Sequence, residues 1–285
     1  MKRILLYSFF AILFSFLGFL WYQRMNRPLV SVVMLTYQRD NLLPNAINSI
    51  LNQSFNDYEL IILNDGSTDN TDDVIKSFND NRIRYFKNKK NRGIAFSRNK
   101  ALKKARGKYV MIMDDDDVSL PNRIEKQVSF LEKNPSIDAV AGQITGFGRI
   151  FNHHDEIASN LINMNSFGNS NVMFRKNFIV RNKIKYPNIK YGEDWHFWLQ
   201  MLFNGAKFAS IDDDVLIKNI SSVKHYTPDY SDTDNVIFNL ISNFFSPDNP
   251  KKFLNSSPCD RLKMIYKTNI ISQNYIQNLM NVNCL

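Results

Sequence analysis

Three stretches of this 285-residue sequence are apolar almost without interruption, and each stops abruptly at polar or acidic residues: Leu29–Thr36 (LVSVVMLT), Tyr58–Leu63 (YELIIL) and Tyr109–Met113 (YVMIM). A strand with one face in water alternates apolar and polar residues. Runs this continuous suit strands covered on both faces, the condition of parallel sheets with helices packed above and below. Amphipathic segments lie between them. Leu42–Leu51 sets Leu43, Ala46, Ile47, Ile50 and Leu51 on one side. A helix is expected from the turn cluster Asn64–Asp69 to about Phe78, and another over Ile94–Ala105. Arg82–Phe86 reads as a further short strand. Strand alternating with helix four times over predicts an α/β domain with a mainly parallel central sheet flanked by helices. Beyond Pro121 the pattern predicts a helix to Leu131, short strands at Ala139–Ile144 and Asn171–Phe174, and a helix Trp195–Phe203 opened by Gly192-Glu193-Asp194. A loop is expected at 226–240 and helix in 240–285.

In open α/β sheets, ligands bind just beyond the carboxyl ends of the strands, so the residues there come first. At Thr36-Tyr37-Gln38-Arg39, Tyr37 could stack on a planar base and Thr36 offer a hydroxyl; taken alone, the segment better suits a tyrosine that merely covers the sheet edge. In Asn64-Asp65-Gly66-Ser67, Asp65 could accept hydrogen bonds from a base or ribose. The same residues satisfy an Asx turn with a helix cap, and both readings can hold. Asp114–Asp117 follow the run ending at Met113. Carboxylates crowded there repel each other and call for positive compensation. A hard divalent cation, Mn²⁺ or Mg²⁺, is the natural choice, since such metals also hold substrate phosphates. Asp115 and Asp116 are the expected ribose and metal contacts, with Asp114 or Asp117 as helpers; a solvated acidic loop is the alternative.

Of the basic stretch Lys87–Lys108, Arg98 lies near a helix start suited to anions and is the expected diphosphate contact, while most of the lysines suit a solvated face. In Glu193-Asp194-Trp195-His196-Phe197-Trp198, Asp194 and Trp198 share a helix face. A carboxylate against aromatic rings has its ionised form disfavoured, which suits a general base; a helix cap with an aromatic core face fits the same letters. His225 could complete a metal shell, and His153-His154-Asp155-Glu156 looks metal-like but falls in an expected polar loop. There is no GxxxxGK[ST] loop, no complete GxGxxG and no zinc-type cysteine pattern.

Taken in order, VSVVMLTYQR (30–39), SILNQSFNDYELIILNDGSTDNT (49–71), NRGIAFSRNKALKKARGKYVMIMDDDD (91–117), NSNVMFRK (169–176) and GEDWHFWL (192–199) resemble the family 2 inverting glycosyltransferases of the GT-A, Rossmann-like fold. The resemblance covers roughly residues 29–226. It implies a nucleotide-diphosphate sugar donor held by a divalent cation, with Thr36, Tyr37 and Asp65 on the nucleoside, Arg98 at the diphosphate or positioning the aspartates, Asp115 on ribose and Asp116 on metal. Asp194, of the family's Glu-Asp pair with Glu193, would be the base, and His225 matches a late histidine of some members. Two departures stand out: Leu-Thr-Tyr-Gln replaces the usual Pro-Thr-Tyr-Asn, and Asn64-Asp65-Gly66 the usual Asp-Asp-Gly. The Gln-x-x-Arg-Trp signature of processive synthases is missing, since the tryptophans are Trp21, Trp195 and Trp198, which argues for addition of a single sugar. A non-catalytic nucleotide-binding or tethering module is the alternative.

Residues 4–22 carry no charge and span roughly 28 Å as a helix, about a bilayer's hydrocarbon thickness. Lys2 and Arg3 flank one end, and Trp21, Tyr22 and Arg24 the other. With no small-x-small site following, a retained single-pass transmembrane helix is expected rather than a signal peptide. The chain divides into an anchor (1–27), a transferase domain (28–226, with a donor half 28–120 and an acceptor half 121–226) and a helical C-terminal extension (227–285). Activated sugars in bacteria are cytosolic, so the domain is expected on the cytoplasmic side of the inner membrane, acting on a cell-envelope glycan or lipid-linked acceptor. Net charge +9 fits anionic lipid or substrate; nothing supplies a recognition helix, and no nucleic-acid partner is expected. The two cysteines, Cys259 and Cys284, read as reduced thiols.

Overall fold

The computed structural model describes residues 27–147, 153–163, 165, 167–189, 191–219, 240–245, 256–268 and 270–283. The expected anchor segment 4–22 and His225 lie outside them. Among the described residues no helix is long and apolar enough to cross a membrane.

The first half builds as the apolar runs require. β1 (Val30–Thr36), β2 (Tyr58–Asn64), β3 (Ile83–Lys87) and β4 (Tyr109–Asp114) form a parallel set in the order β3-β2-β1-β4. Crossovers run through α1 (Leu43–Leu51), α2 (Thr71–Ser77) and α3 (Ile94–Lys104). Each strand serves both faces. Val33, Ile61, Leu63, Val110 and Ile112 join one core with Ala101 and Leu102 of α3; Val32, Met34, Leu60, Ile62, Met111 and Met113 join the other with Ala46, Ile47 and Ile50 of α1. The polar interruptions of the runs satisfy one another. Ser31 and Glu59 are register partners, and Ser31 Oγ donates to Glu59 Oε1 at 2.6 Å. Arg84 and Arg106 complete the carboxylate. Burial pushes the Glu59 pKa up, but these hydrogen bonds and charges outweigh it and hold the group below its ordinary value.

The second half corrects the expectation of a mainly parallel sheet. β5 (Val118–Ser119), β6 (Ala139–Ile144), β7 (Val172–Arg175) and β8 (Phe208–Ile217) extend the same sheet in the order β4-β7-β6-β8-β5. β7 is antiparallel to both β4 and β6, β6 and β8 are parallel, and β5 is antiparallel to β8. α4 (Arg123–Lys133), α5 (His154–Asn163), α6 (Lys176–Arg181) and α7 (Glu193–Phe203) cover the sheet. β7 follows β4 in the chain only after α4, β6 and α5, and it lies antiparallel between β4 and β6, which makes the sheet mixed.

The aromatic face of α7 is core: Trp198 is fully buried, edge-on to Phe167 at 5.4 Å, and Phe197 stacks on Tyr186 at 4.3 Å. The C-terminal helices, at 240–245, Pro258–Tyr266 and Gln273–Asn283, pack on this core through Ile241, Phe245, Ile265 and Ile276. Cys259 is disulfide-bonded, which corrects the reading of reduced thiols. The expected polar loop at His153–Glu156 instead opens α5, where His154 stacks on Phe208 and its ring nitrogens meet Phe208 N–H and Ile270 O. Its ring is committed to the fold.

Gly66 sits at φ +82°, and a Cβ there would lie 2.5 Å from the Lys90 carbonyl carbon and 2.7 Å from the Asn91 nitrogen. Only glycine permits both the left-handed turn and the close approach of the 88–91 loop. Gly66→Ala is expected to cost on the order of 1–3 kcal/mol in denaturant melts from backbone strain alone, with the clash added to it.

Candidate active site

The strand order reverses between β1 and β4, and their carboxyl ends adjoin: Leu35 pairs with Asp114, and Thr36 with Asn64 of β2. A cleft of about 440 Å³ opens there. Thr36, Tyr37, Asp65, Arg98, Asp114, Asp115 and Asp116 all line it, together with Arg39, Ser97 and the start of α3. Tyr37 is exposed at the rim, while Thr36 and Asp65 are buried.

Each wall is held by side chains from a different element. Asp65 N–H donates to Thr36 O, and Asp65 Oδ1 accepts from Asn88 Nδ2 at 2.7 Å and from Arg92 N–H at 3.0 Å. Asn88 is fixed in turn by Ser97 and by Lys100, whose Nζ donates to Asn88 Oδ1 at 2.6 Å. Lys100 is therefore a support of the site rather than a solvated lysine. Asn64 takes the Asx-turn role, accepting Ser67 N–H at 2.8 Å and donating to Asp72 at 2.7 Å. Gln38 adopts φ +55° and clasps the same turn, accepting from Thr68 N–H and Asp69 N–H and donating its own N–H to Ser67 Oγ. The Gln and Asn at these two positions thus lock the β1 and β2 ends to each other.

The aspartate run is compensated by three arginines. Arg39 Nη1 pairs with Asp116 Oδ2 at 2.9 Å. Arg98, buried, pairs with Asp114 at 3.4 Å and more closely with Glu193. Arg123 of α4 is completely buried, donating to Ile112 O at 3.0 Å and to Gln127 Oε1 at 3.2 Å. Burial pulls Arg123 down to about 9 against the charges of Asp117 and Asp114, so it remains cationic behind the run at neutral pH. Ser170 Oγ donates to Asp114 Oδ2. Asp117 is not part of the cleft wall; it is buried and accepts Asn219 N–H at 3.1 Å. Asp115 is pushed up to about 7, chiefly by burial and further by Asp116 and Asp114, with Thr36 and Arg39 pulling the other way.

Arg98 carries the site toward α7. Burial opposes its charge, but Tyr186, Asp114, Glu193 and Asp194 together hold its pKa above the ordinary value. Its guanidinium lies 5.2 Å from the Tyr186 ring centroid. Glu193 is the buried member of the pair, raised chiefly by burial and held against that by Arg98. Asp194, one residue on, is partly exposed and accepts from Trp195 N–H at 2.8 Å and Asn165 Nδ2 at 3.2 Å. The burial expected of Asp194 against aromatic rings thus falls on Glu193 instead. Among the described residues no three His, Cys, Asp or Glu side chains are gathered as a metal site.

A cleft at the switch point of an α/β sheet, walled by carboxylates and a buried arginine, defines a ligand-binding α/β domain. Comparison with known proteins makes the class specific. Residues 31–198, more than half of the chain, match the model of glycosyl transferase family 2. The chain belongs to that family and is a glycosyltransferase drawing on a nucleotide-sugar donor. It is 33% identical over 216 residues to an uncharacterized glycosyltransferase of Methanocaldococcus jannaschii, covering 71% of this chain and 74% of that protein. It is 36% identical over 110 residues, 39% of this chain and 44% of the other, to the UDP-Glc:alpha-D-GlcNAc-diphosphoundecaprenol beta-1,3-glucosyltransferase of Escherichia coli. The structure of S. aureus TarS 1–349 in complex with UDP-GlcNAc superposes with a TM-score of 0.65 at 18% identity, over 84% of this chain and 71% of that one, and so shares the fold.

Because the folded pKa of Asp115 lies above that of the unfolded chain, protonation favours the fold. That contribution is complete below about pH 4 and is lost as pH rises through about 7. Asp115→Asn is expected to melt higher than the unmodified, ligand-free chain at pH 8, by an upper bound of about 4 kcal/mol. The difference shrinks as pH is lowered toward 4. Thermal melts across that range check it, and a constant difference would contradict the burial argument.

Proposed function

We propose that the chain moves one sugar, with inversion, from a uridine-diphosphate sugar to a hydroxyl of a cell-envelope glycan or lipid-linked acceptor at the bacterial inner membrane. The observation that carries this reading is Arg98, which lines the donor cleft and pairs with both Asp114 and Glu193, joining the cleft to the Glu193-Asp194 pair. In it, Thr36, Tyr37 and Asp65 receive the nucleoside, Asp115 the ribose, and Arg98 the diphosphate. The uridine choice draws on the printed donors of the E. coli and S. aureus proteins, and the lipid-linked acceptor on the former.

The carboxylates fit a hard divalent cation, because such ions bind through one or two carboxylates plus substrate phosphates and need no full protein cage. Asp116 would hold it, with Asp114 beside it and His225 as a further proposed ligand. Asp117, bonded to Asn219 N–H, belongs to this set only as support. The ion would supply charge stabilisation for the leaving diphosphate.

Asp194 accepts the proton of the acceptor hydroxyl as its oxygen attacks the anomeric carbon. The bond to the diphosphate oxygen breaks on the opposite side, so configuration inverts. Partial exposure leaves Asp194 reachable by an acceptor, while Glu193 stays behind it on Arg98. A positioned base contributes about 10²–10⁴-fold, or roughly 3–5 kcal/mol. Residues 4–22 anchor the chain, with the domain facing the cytoplasm; protease accessibility of the C-terminus in spheroplasts tests that orientation.

Asp194→Asn is expected to lower transfer 10²–10⁴-fold while donor binding persists, measured with a panel of nucleoside-diphosphate sugars by turnover and by calorimetry. Full transfer by the purified variant would remove Asp194 from the role of base. Asp116→Ala is expected to weaken donor binding with Mn²⁺ present and to change it little without; an equal effect in both conditions would place the cation elsewhere.

A further inference from the structure

On the face of the sheet covered by α3 and α6 lies a second cavity, of about 360 Å³, that the transfer reaction does not use. Its floor is apolar, with Leu102, Ile179 and Ile184, and its rim carries Lys103, Lys176, Lys183 and Lys185. Among the described residues no carboxylate lines it. Val180 on the same rim is 60% exposed. A basic rim over an apolar floor matches a ligand with an anionic head and an apolar body, and neither a free phosphate nor an acidic peptide uses both.

Two further observations bear on the occupant. The cavity lies where the chain enters the sheet. Leu29 O accepts Tyr109 N–H at 3.0 Å, and the preceding Lys108 O accepts N–H of Lys176, a rim residue, at 3.0 Å. The uncharged stretch 4–22 ends only a few residues before Leu29. Among the described residues, Lys183 is also one of two non-glycine residues with positive φ, at +55°. It ends α6 with Ile184 N–H donating to Ile179 O and Lys183 N–H to Val180 O, a helix ending that ordinarily takes glycine. A lysine held there against backbone preference points to use of its charge.

We propose that this lysine-rimmed cavity seats on anionic phospholipid, so that the domain rests on the bilayer through α3 and α6. This rests on the reading of residues 4–22 as a membrane anchor. The inner end of the cavity is Asn99, paired with the Tyr186 backbone at 2.7 and 3.0 Å. Its neighbour Arg98 lines the donor cleft, so lipid engagement and donor binding draw on adjoining faces of one helix.

The test uses the full chain with Val180→Cys carrying an environment-sensitive fluorophore; no cysteine among the described residues is free to compete for the label. Vesicles of phosphatidylcholine alone are compared with vesicles containing phosphatidylglycerol, by flotation and emission. The expected result is capture by both compositions, with a blue shift only on the anionic vesicles, lost when Lys103, Lys183 and Lys185 are all changed to Gln. A shift on anionic vesicles without capture by neutral ones would keep the cavity assignment and remove the anchor. Capture by both with the same water-exposed emission would overturn the cavity assignment alone, and no capture by either would overturn both. Emission already blue-shifted before vesicles are added would give the cavity to another segment of the chain and overturn the proposal. Lys183→Gly is expected to raise the melting temperature and diminish the shift; a full shift in the Lys183→Gly variant would overturn the part given to this lysine.

Discussion

Everything in the site depends on neutralising four consecutive aspartates at the end of a buried strand. The sheet does this with arginines from three separate places: Arg39 after β1, Arg98 on α3 and Arg123 on α4. Each sits differently. Arg39 is partly exposed and faces the cleft mouth, Arg98 is buried and shared with Glu193, and Arg123 is sealed behind the strand by Ile112 O and Gln127. Charges buried in this way are costly unless they are paired, so the aspartate run requires β1, α3, α4 and α7 to be in place together. The compensation stops short at Asp115, whose carboxyl is buried with its neighbours' charge still acting on it.

The first half of the fold was legible because its signals are local. The continuous runs 29–36, 58–63 and 109–113 became β1, β2 and β4 within a residue, and Ala139–Ile144 came out with the same ends. Strand direction was not legible. Nothing in VMFR (172–175) states that it pairs antiparallel with both β4 and β6, because that depends on a partner more than sixty residues away. β8 went unseen because Phe208–Ile217 contains Asp212, Asp213 and Asp214 in its exposed middle, which lowers its apolar pattern. The disulfide at Cys259 had no sequence signal beyond an even cysteine count.

Of the residues singled out in the sequence, those that line the cleft are ones whose chemistry is stated by type and position: Thr36, Tyr37, Asp65, Arg98 and Asp114 to Asp116. Those missed act through distant partners. Asn88, Lys100 and Ser170 look like ordinary polar residues until the loops that carry them close on Asp65 and Asp114. Gln38 stood out only as a departure, yet its left-handed backbone and three partners in the Ser67–Asp69 turn make it a clasp between two strand ends. Arg123 and Gln127 did carry a readable mark, being polar residues four apart on the buried stripe of α4. At α7 the aromatic core reading holds and leaves room for the acidic pair, because the charges occupy its first turn and the aromatics the turns that follow.

β1 opens onto the cleft at its carboxyl end, while its amino end is where the chain arrives from residues 4–22. Seven residues of strand separate the two, a rise of roughly 20 Å. If the entry end lies at a lipid surface, the central strand works as a spacer as well as a scaffold. It would set the height at which an acceptor hydroxyl must be presented, and so favour acceptors whose polar portion stands that far above the headgroups.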